Sequence, residues 1–493
     1  MKFYLGVDIG TFESKGMLVD ENGRSLAQAV RRHELLVPEV GFAEHRSDED
    51  WWGDFVYITK KLLYETKIEA KDIRAIGTSG IGPCLLPLDQ NYKPLSNAIL
   101  YGVDSRSSQE ILDMNNQIGE QKIYKFCGNS LSTQSVGPKI LWLKRNRPEI
   151  YHKTSYILNS TSFLVFKLTG QITIDHYSAA NYAPFYDIEN HKWSSELFSD
   201  LIKPEQLPKL LWSDEIAGYV TKSASDETGL SIGTPVITGT IDAASEALSV
   251  GVRQPGDLMM MYGSSIFTIV ISSKRHYNQN LWYAPWLFKG EHSAMAGHPT
   301  AGTLSHWFRS ELARELEPSL AHIELSKEAM TSPPGALGLL FLPYFSGALS
   351  PFYNPNAKGA FFGLDLTHKR SDMIRSVFEG IAFATRAIFE AYCAANIPIN
   401  QIHAVGGGTK NKVWSQATSD ILNITQIVRR ISFGASYGDA YLAGRAIGDF
   451  PANIIDLWNP VESSITANHM LKKTYDEKYK KFIELYNITA KFH

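Results

Sequence analysis

Residues 359–379 read GAFFGLDLTHKRSDMIRSVFE. Ala360-Phe361-Phe362 is a short aromatic run of the kind that forms a strand, and Gly363-Leu364 ends it. A polar turn follows, and Ser371 opens a new pattern. From there to Ala395, Ile374, Val377, Phe378, Ile381, Thr385, Ile388 and Tyr392 recur at helical spacing, so the segment predicts a long amphipathic helix. A strand passed through glycine and a polar turn to a helix is the basic unit of an α/β fold.

Similar units lie to either side. Phe3–Ile9 (FYLGVDI) reads as a strand, Gly10-Thr11 as a turn, 16–20 as a second strand, Glu21-Asn22-Gly23 as a hairpin turn and 24–32 as a third strand. Half a chain later, Asp257–Tyr262, the turn Gly263-Ser264-Ser265 and Ile266–Ser272 repeat the pattern, which predicts two related domains. Residues 73–78 and 234–238 read as strands entering glycine-containing loops, with a helix from Asp242. Residues 139–145 carry an apolar helical pattern. Gln401–Val405 reads as a strand followed by Gly406-Gly407-Gly408 and a helix over 411–422, and 438–446 as a helix of small residues. Residues 470–492 alternate lysines and aromatics at helical period, the pattern of a surface helix with one docked face. Gly251 and Pro255-Gly256 break the chain between Val250 and Asp257. The expected domains are 1–250, 251–450 and a helical tail, 451–493, packed on them.

A chain of 493 residues is long enough for two or more cores. A formal charge of −3 gives no general attraction to nucleic acid or to an anionic membrane. Cys84, Cys127 and Cys393 show neither metal-ligand spacing nor a disulfide framework. That suits a reducing cytoplasm, and each is expected to be a small buried thiol. Residues 1–10 are too short for a signal peptide and contain Asp8. The apolar stretch 335–350 is interrupted by Gly335, Gly338, Pro343 and Gly347, so it reads as buried strand and loop rather than a membrane span. The fourteen histidines have no metal-binding spacing; His292, His298 and His306 read as surface or core residues.

There is no G-x-x-x-x-G-K-[ST] loop and no protein-kinase motif set. If the chain handles phosphate, other residues must cradle it. In Asp8–Lys15 (DIGTFESK), Gly10 allows close backbone approach, Thr11 and Ser14 offer hydroxyls, Lys15 offers charge, and Asp8 can hold Mg²⁺ through water. The same residues also suit an ordinary hairpin. In Gly239-Thr240-Ile241-Asp242-Ala243-Ala244, Asp242 reads either as a helix cap or as a general base. Gly406-Gly407-Gly408 is either a tight turn or a surface on which a flat base or ribose can lie. Asp104 and Arg106, in Tyr101-Gly102-Val103-Asp104-Ser105-Arg106, are either a structural ion pair or a hydrogen-bond acceptor with its orienting cation.

The spacing of Gly359, Gly363, Asp372, Ser376 and Glu379 fits, without a gap, a signature of the FGGY carbohydrate kinases. The D-x-G-T-x-x-x-K of Asp8–Lys15 resembles the phosphate-1 motif of the sugar kinase/actin/Hsp70 superfamily, and G-T-x-D-A-A resembles the family's catalytic motif. The resemblance extends from Asp8 to Gly444, with Gly41-Phe42-Ala43-Glu44, Trp51, Pro138–Trp142 and Gly438-Asp439-Ala440 in the expected order. It implies two actin-like (ribonuclease H-like) domains with the active site in the cleft between them, and transfer of the ATP γ-phosphoryl group to a sugar or polyol hydroxyl.

By the same resemblance, Asp8, Gly10, Thr11, Ser14, Lys15, Gly263 and Ser264 serve the phosphates. Asp8 and Asp242 adjoin Mg²⁺. Gly302, Gly407, Gly408 and Asn411 serve the nucleotide. Asp242 is the base, and Gly82, Asp104, Arg106, Gln134 and Phe267 line the sugar site. The look is xylulokinase-like, implying a ketopentose such as xylulose. The alternatives are another sugar (a ketohexose, tetritol or signalling sugar), an actin- or Hsp70-like ATPase, or a sugar sensor without activity. A homodimer is also an expectation of the resemblance. Two stretches depart from it. Ile81-Gly82-Pro83 stands where xylulokinases have Gln-Met-His and glycerol kinases Arg-Glu, and Gly347–Pro351 stands where many members have G-E-R-x-P.

Overall fold

Strand β1 (Phe3–Ile9) turns through Gly10 into β2 (Glu13–Asp20), and β3 (Ser25–Arg32) completes an antiparallel meander. β4 (Ile73–Gly80) runs parallel to β1. β5 (Ile216–Tyr219) and β6 (Pro235–Ile237) extend the sheet to the order β5–β6–β4–β1–β2–β3, and β7 (Thr240–Ile241) pairs with the end of β4. The computed structural model describes residues 1–431, 433–451 and 453–492. This sheet belongs to a first unit made of Met1–Arg253, Tyr283–Ser293 and Phe433–Asn459. Its core gathers Leu5, Val7, Trp51, Phe55, Ile58, Ile76, Leu86, Phe163 and Leu164.

The helix Ala435–Ala446 also belongs to this unit and packs on β1 and β4. A Cβ on Gly6 would lie 1.9 Å from Ser436 O, and one on Gly77 would lie 2.2 Å from Asp439 O. Glycine at these two strand positions is what lets the helix backbone approach the sheet.

The second unit comprises Gln254–Trp282, Ala294–Ser432 and Pro460–His493. Its sheet contains β8 (Asp257–Tyr262), β9 (Ile266–Ser272), β10 (Gln401–Val405), β11 (Gln426–Arg429) and β12 (Val461–Ile465), in the order β9–β8–β10–β11–β12. β9 is antiparallel to β8, β10 and β11 are parallel to it in succession, and β12 turns back antiparallel. That is the pattern of β2–β1–β4–β6–β5, so the two units share one topology, the actin-like arrangement expected from sequence.

The segment 359–379 is explained position by position. A Cβ on Gly359 would strike the Phe345 ring at 1.8 Å, and Gly363 has φ +95°. The helix runs Arg370–Ala394, one residue earlier than expected, because the Asp372 carboxylate accepts from Lys369 N at 2.8 Å and closes its first turn. Ser376 Oγ donates back to Met373 O. Glu379 is buried. It accepts from Gly335 N, Arg375 Nε and Tyr475 OH at 2.8, 2.9 and 3.0 Å and from Lys478 Nζ at 3.3 Å. This network ties the signature helix to the tail helix Lys472–Thr489, whose Tyr475, Tyr479, Phe482 and Tyr486 dock against Leu342, Tyr344 and Phe383.

Within 335–350, Leu340–Leu342 forms a strand against Ala360–Phe362, and among the described residues no helix is long and apolar enough to cross a membrane. Cys84 and Cys127 are buried as expected, but Cys393 is exposed, because it falls on the outer face of the signature helix.

Candidate active site

Parallel pairing brings three strand ends to one level in the first unit. Asp8 of β1 is opposite Ser79 of β4, and Thr240 of β7 is opposite Ser79 from the other side. Carboxyl ends of parallel strands are where open α/β sheets bind ligands. Asp242 opens the helix Asp242–Ser249 directly after β7. The cap position is Ile241, and the Asp242 side chain does no capping. Its Oδ1 accepts only from its neighbour Ala243 N, at 2.7 Å, and its second oxygen has no partner among the described residues.

The surroundings are acidic. Burial, then the Asp8 charge, raises Asp242 well above the usual carboxylate range. Burial raises Asp8 to about 6, against the opposing effects of the Ser79 hydroxyl and Lys15. Two further carboxylates join the site without having been expected there from the sequence, although Asp439 lies within the Gly438-Asp439-Ala440 motif. Glu246 follows Asp242 by one helical turn, on the same face, and burial followed by the Asp8 charge raises it to about 7. Asp439 is fully buried beneath the site, its oxygens 2.8 Å from Ser79 Oγ and 2.6 Å from Ser245 Oγ. Ser79 Oγ is also 3.2 Å from Asp8 Oδ1 and so bridges the two acids.

Lys15 sits opposite Asp8 across the hairpin and pairs with Glu13 at 3.1 Å. Thr11 Oγ1 shares a hydrogen bond with Tyr101 OH at 2.9 Å. Ser14 does not join this group. It alternates to the opposite face of β2, is buried, and donates to Asp54 at 2.7 Å.

A Cβ on Gly82 would meet the Ile241 side chain at 2.8 Å, so its loop lies against the residue before Asp242. Cys84 behind it is buried, its thiol pushed up to about 12 by desolvation. Gln134 Oε1 accepts from Gly102 N at 3.1 Å. Lys139 is completely buried. It donates to Thr133 O at 2.5 Å and Tyr101 O at 3.4 Å, and burial lowers it to about 8. Asp104 and Arg106 are spent on each other and on their neighbours. Asp104 takes Ala43 N at 2.7 Å and Arg106 Nε at 2.9 Å; Arg106 Nη2 reaches Glu44 at 2.8 Å and its guanidinium lies 3.8 Å from the Phe42 ring centre. They tie segment 41–44 to the 101–106 loop, a positioning role.

In the second unit a cavity of about 810 Å³, within the size range of small-molecule sites, is lined by Tyr262, Gly263, Ser264, Gly302, Gly407, Gly408, Asn411 and Trp414, with His322, Ser326 and Lys327 opposite. The three successive glycines differ. Gly406 has φ +97°, a Cβ on Gly408 would strike the Trp414 ring at 2.4 Å, and a Cβ on Gly407 would meet nothing within 4 Å. The face of Gly407 is therefore open to a ligand. Asn411 caps the helix Lys412–Leu422, its Oδ1 accepting from Val413 N and Trp414 N at 3.1 Å and from Ser326 Oγ at 3.0 Å. Phe267 lies on β9, 6.3 Å between ring centres from Trp282, and is not among the cavity-lining residues.

Among the described residues, no group of three or more His, Cys, Asp or Glu side chains is arranged to hold a metal ion. Asp8 and Asp242 instead fit Mg²⁺, which takes one or two carboxylates, phosphate oxygens and water.

Two family models match the chain: the N-terminal domain of the FGGY family of carbohydrate kinases over residues 3–249, and its C-terminal domain over 258–447. A xylulose kinase of Bacillus subtilis is 28% identical over 99% of this chain and 96% of its own length. A gluconokinase of the same organism is 26% identical over 95% of this chain and 91% of its own. The crystal structure of xylulose kinase from Rhodospirillum rubrum matches with a TM-score of 0.93 at 26% identity, covering 100% of this chain and 99% of that one.

Proposed function

The chain belongs to the FGGY family of carbohydrate kinases, and on that premise we propose that it phosphorylates a ketopentose such as xylulose, with Asp242 as the general base. ATP-dependent sugar phosphorylation is the activity the family carries. The observation that supports the base is the position of Asp242: at the strand ends, beside Asp8 and the Gly82 loop, with one carboxylate oxygen uncommitted. A buried carboxylate whose proton affinity is raised is a stronger base than one in water. In this reading Asp242 takes the proton of the sugar hydroxyl as its oxygen attacks the γ-phosphorus, the Thr11 hydroxyl and Lys15 bind phosphate, and the open face of Gly407 receives the adenosine. Mg²⁺ held by Asp8, with Asp242 nearby, would supply charge neutralisation to the phosphates.

The choice of sugar rests on the substrate loop. Ile81, Gly82 and Pro83 offer no cation, and the buried Lys139 ammonium is committed to two carbonyls. A neutral ketose suits that surface better than an anionic sugar acid, even though relatives include both xylulose kinases and gluconokinases. A coupled ADP-release assay across pentuloses, hexuloses, polyols and gluconate tests the reading. The expected result is the highest kcat/KM with a pentulose. A gluconate preference overturns the sugar assignment, and sugar-independent ADP release with no stimulation by any acceptor overturns the kinase assignment in favour of an ATPase.

A further inference from the structure

At the tip of the β1–β2 hairpin, two consecutive backbone carbonyls are held by two buried histidines. His33 Nε2 is 3.1 Å from Gly10 O, and its Nδ1 is 2.8 Å from Asp54 Oδ2. His45 Nε2 is 3.0 Å from Thr11 O, and its Nδ1 accepts from Trp51 Nε1 at 3.1 Å. The rings meet edge to face, 4.8 Å between centres.

Proton counting separates the two. His45 faces a donor on one side and an acceptor on the other, which a neutral ring satisfies. His33 faces acceptors on both sides, and only the imidazolium donates from both nitrogens. Its carboxylate partner is anchored in turn, with Ser14 Oγ at 2.7 Å and Arg31 Nε at 3.0 Å from Asp54.

The consequence falls on the amides. In a trans peptide the C=O and N–H point in opposite directions. Tethering the carbonyls of Gly10 and Thr11 therefore turns the N–H groups of Thr11 and Phe12 the other way. Neither amide finds an acceptor among the described residues. Successive amides presented at a tight turn form an anion-binding concavity.

We propose that His33, as an imidazolium, and His45 form a clamp that pre-orients the Thr11 and Phe12 amides for the ATP phosphates, so that phosphate binding weakens when His33 loses its proton. This rests on the reading of the hairpin as the phosphate loop. The charged and titratable groups around His33 are Asp54 from the helix Gly53–Thr66, Asp50 from the turn before it, Arg31 beside it on β3, and His45, and the cavity that His33 lines also carries Arg32, Glu34, Arg46, Asp48 and Glu49; Arg46 faces Asp50 at 2.8 Å. Burial opposes the His33 charge, but the bond to Asp54 and the charges of Asp54 and Asp50 outweigh it and raise its proton affinity. His45 is pushed down to about 4 by burial and then by the His33 charge, as a neutral ring requires.

The test is kcat/KM for ATP between pH 6 and 10 at saturating sugar, for the wild type, His33→Gln and His45→Gln. The wild type is expected to lose ATP affinity on the alkaline side. His33→Gln is expected to raise the KM for ATP by about tenfold at neutral pH, with kcat little changed and the His33 limb absent. His45→Gln keeps that limb, because His33, the titrating member of the clamp, is unchanged. An alkaline limb that persists in His33→Gln with a wild-type KM belongs to another group, such as Lys139, and overturns the proposal. Independently of turnover or of the variant's folding, ¹⁵N spectra of the histidine-labelled wild type at pH 7 should show both His33 ring nitrogens protonated. A neutral tautomer rejects the clamp even if the kinase reading stands, and failure of the sugar panel rejects the kinase reading whatever the spectra show.

Discussion

The hairpin β1–β2 and its topological counterpart β8–β9 hold their turn carbonyls by different means. In the first, His33 and His45 reach Gly10 O and Thr11 O with side chains. In the second, backbone amides at the start of the helix Gly302–Leu312 do the work: Gly302 N to Gly263 O at 3.0 Å and Ala301 N to Ser264 O at 2.8 Å. The steric demand differs too. A Cβ on Gly10 would come within 2.6 Å of Glu13 O, whereas one on Gly263 would reach only an ordinary 3.5 Å contact with Ser265 O; in that unit the tight approach is at Gly302, 2.6 Å from Gly263 O. One topology thus carries two solutions to the same backbone problem, and only one of them titrates.

The sharpest way to break this comparison is a matched pair of glycine substitutions. Gly10→Ala should displace the first turn and reduce kcat/KM for ATP by about 10²-fold, the scale of a misplacement of about 1 Å in a reacting geometry. Gly263→Ala should stay within a few-fold. Equal losses would mean that the two turns bear the same constraint. Next in size, Gly302→Ala should raise the KM for ATP by about tenfold, because its Cβ meets a carbonyl of the turn. A wild-type titration of ATP binding by that variant would show that the turn yields at little cost. Asn411→Ala, which removes a helix cap without touching either hairpin, should cost about 1 kcal/mol of stability by denaturant unfolding.

The pH dependence of stability sharpens the contrast further and is expected to be modest. His33 has its folded-state proton affinity raised above the ordinary histidine value of about 6.5. Its contribution is therefore fully present below about pH 6.5 and is lost as pH rises through the higher folded-state value. Unfolding free energies at pH 6 and pH 9 should differ more for the wild type than for His33→Gln. An identical difference in both would remove the titrating clamp from the account.

Both hairpins are legible in the sequence because alternation and glycine turns are local signals, and Asp8, Asp242 and the glycines stand out at their ends. Ser14 shows where local reading fails. Starting the second strand at residue 16 leaves Ser14 in the loop, free to face phosphate. The strand begins at Glu13, and period-two alternation then turns Ser14 toward Asp54. Asp104 and Arg106 suggest a sugar contact by motif, yet their bonds run to segment 41–44, some 60 residues away in the chain, which no local pattern records. The role of Asp439, present in the sequence as part of the Gly438-Asp439-Ala440 motif, and that of His33 are hidden for the same reason: their partners come from other strands and helices. Glu246 was within reach, since a carboxylate four residues after Asp242 shares its helical face.

The central claim, that the acidic end of the first unit takes the hydroxyl proton while the hairpins hold phosphate, is tested most directly by single-turnover phosphoryl transfer with Asp242→Asn, alongside equilibrium ATP binding. The account predicts a fall in the transfer rate of about 10²–10⁴-fold with ATP affinity nearly unchanged. Transfer at close to the wild-type rate would contradict it.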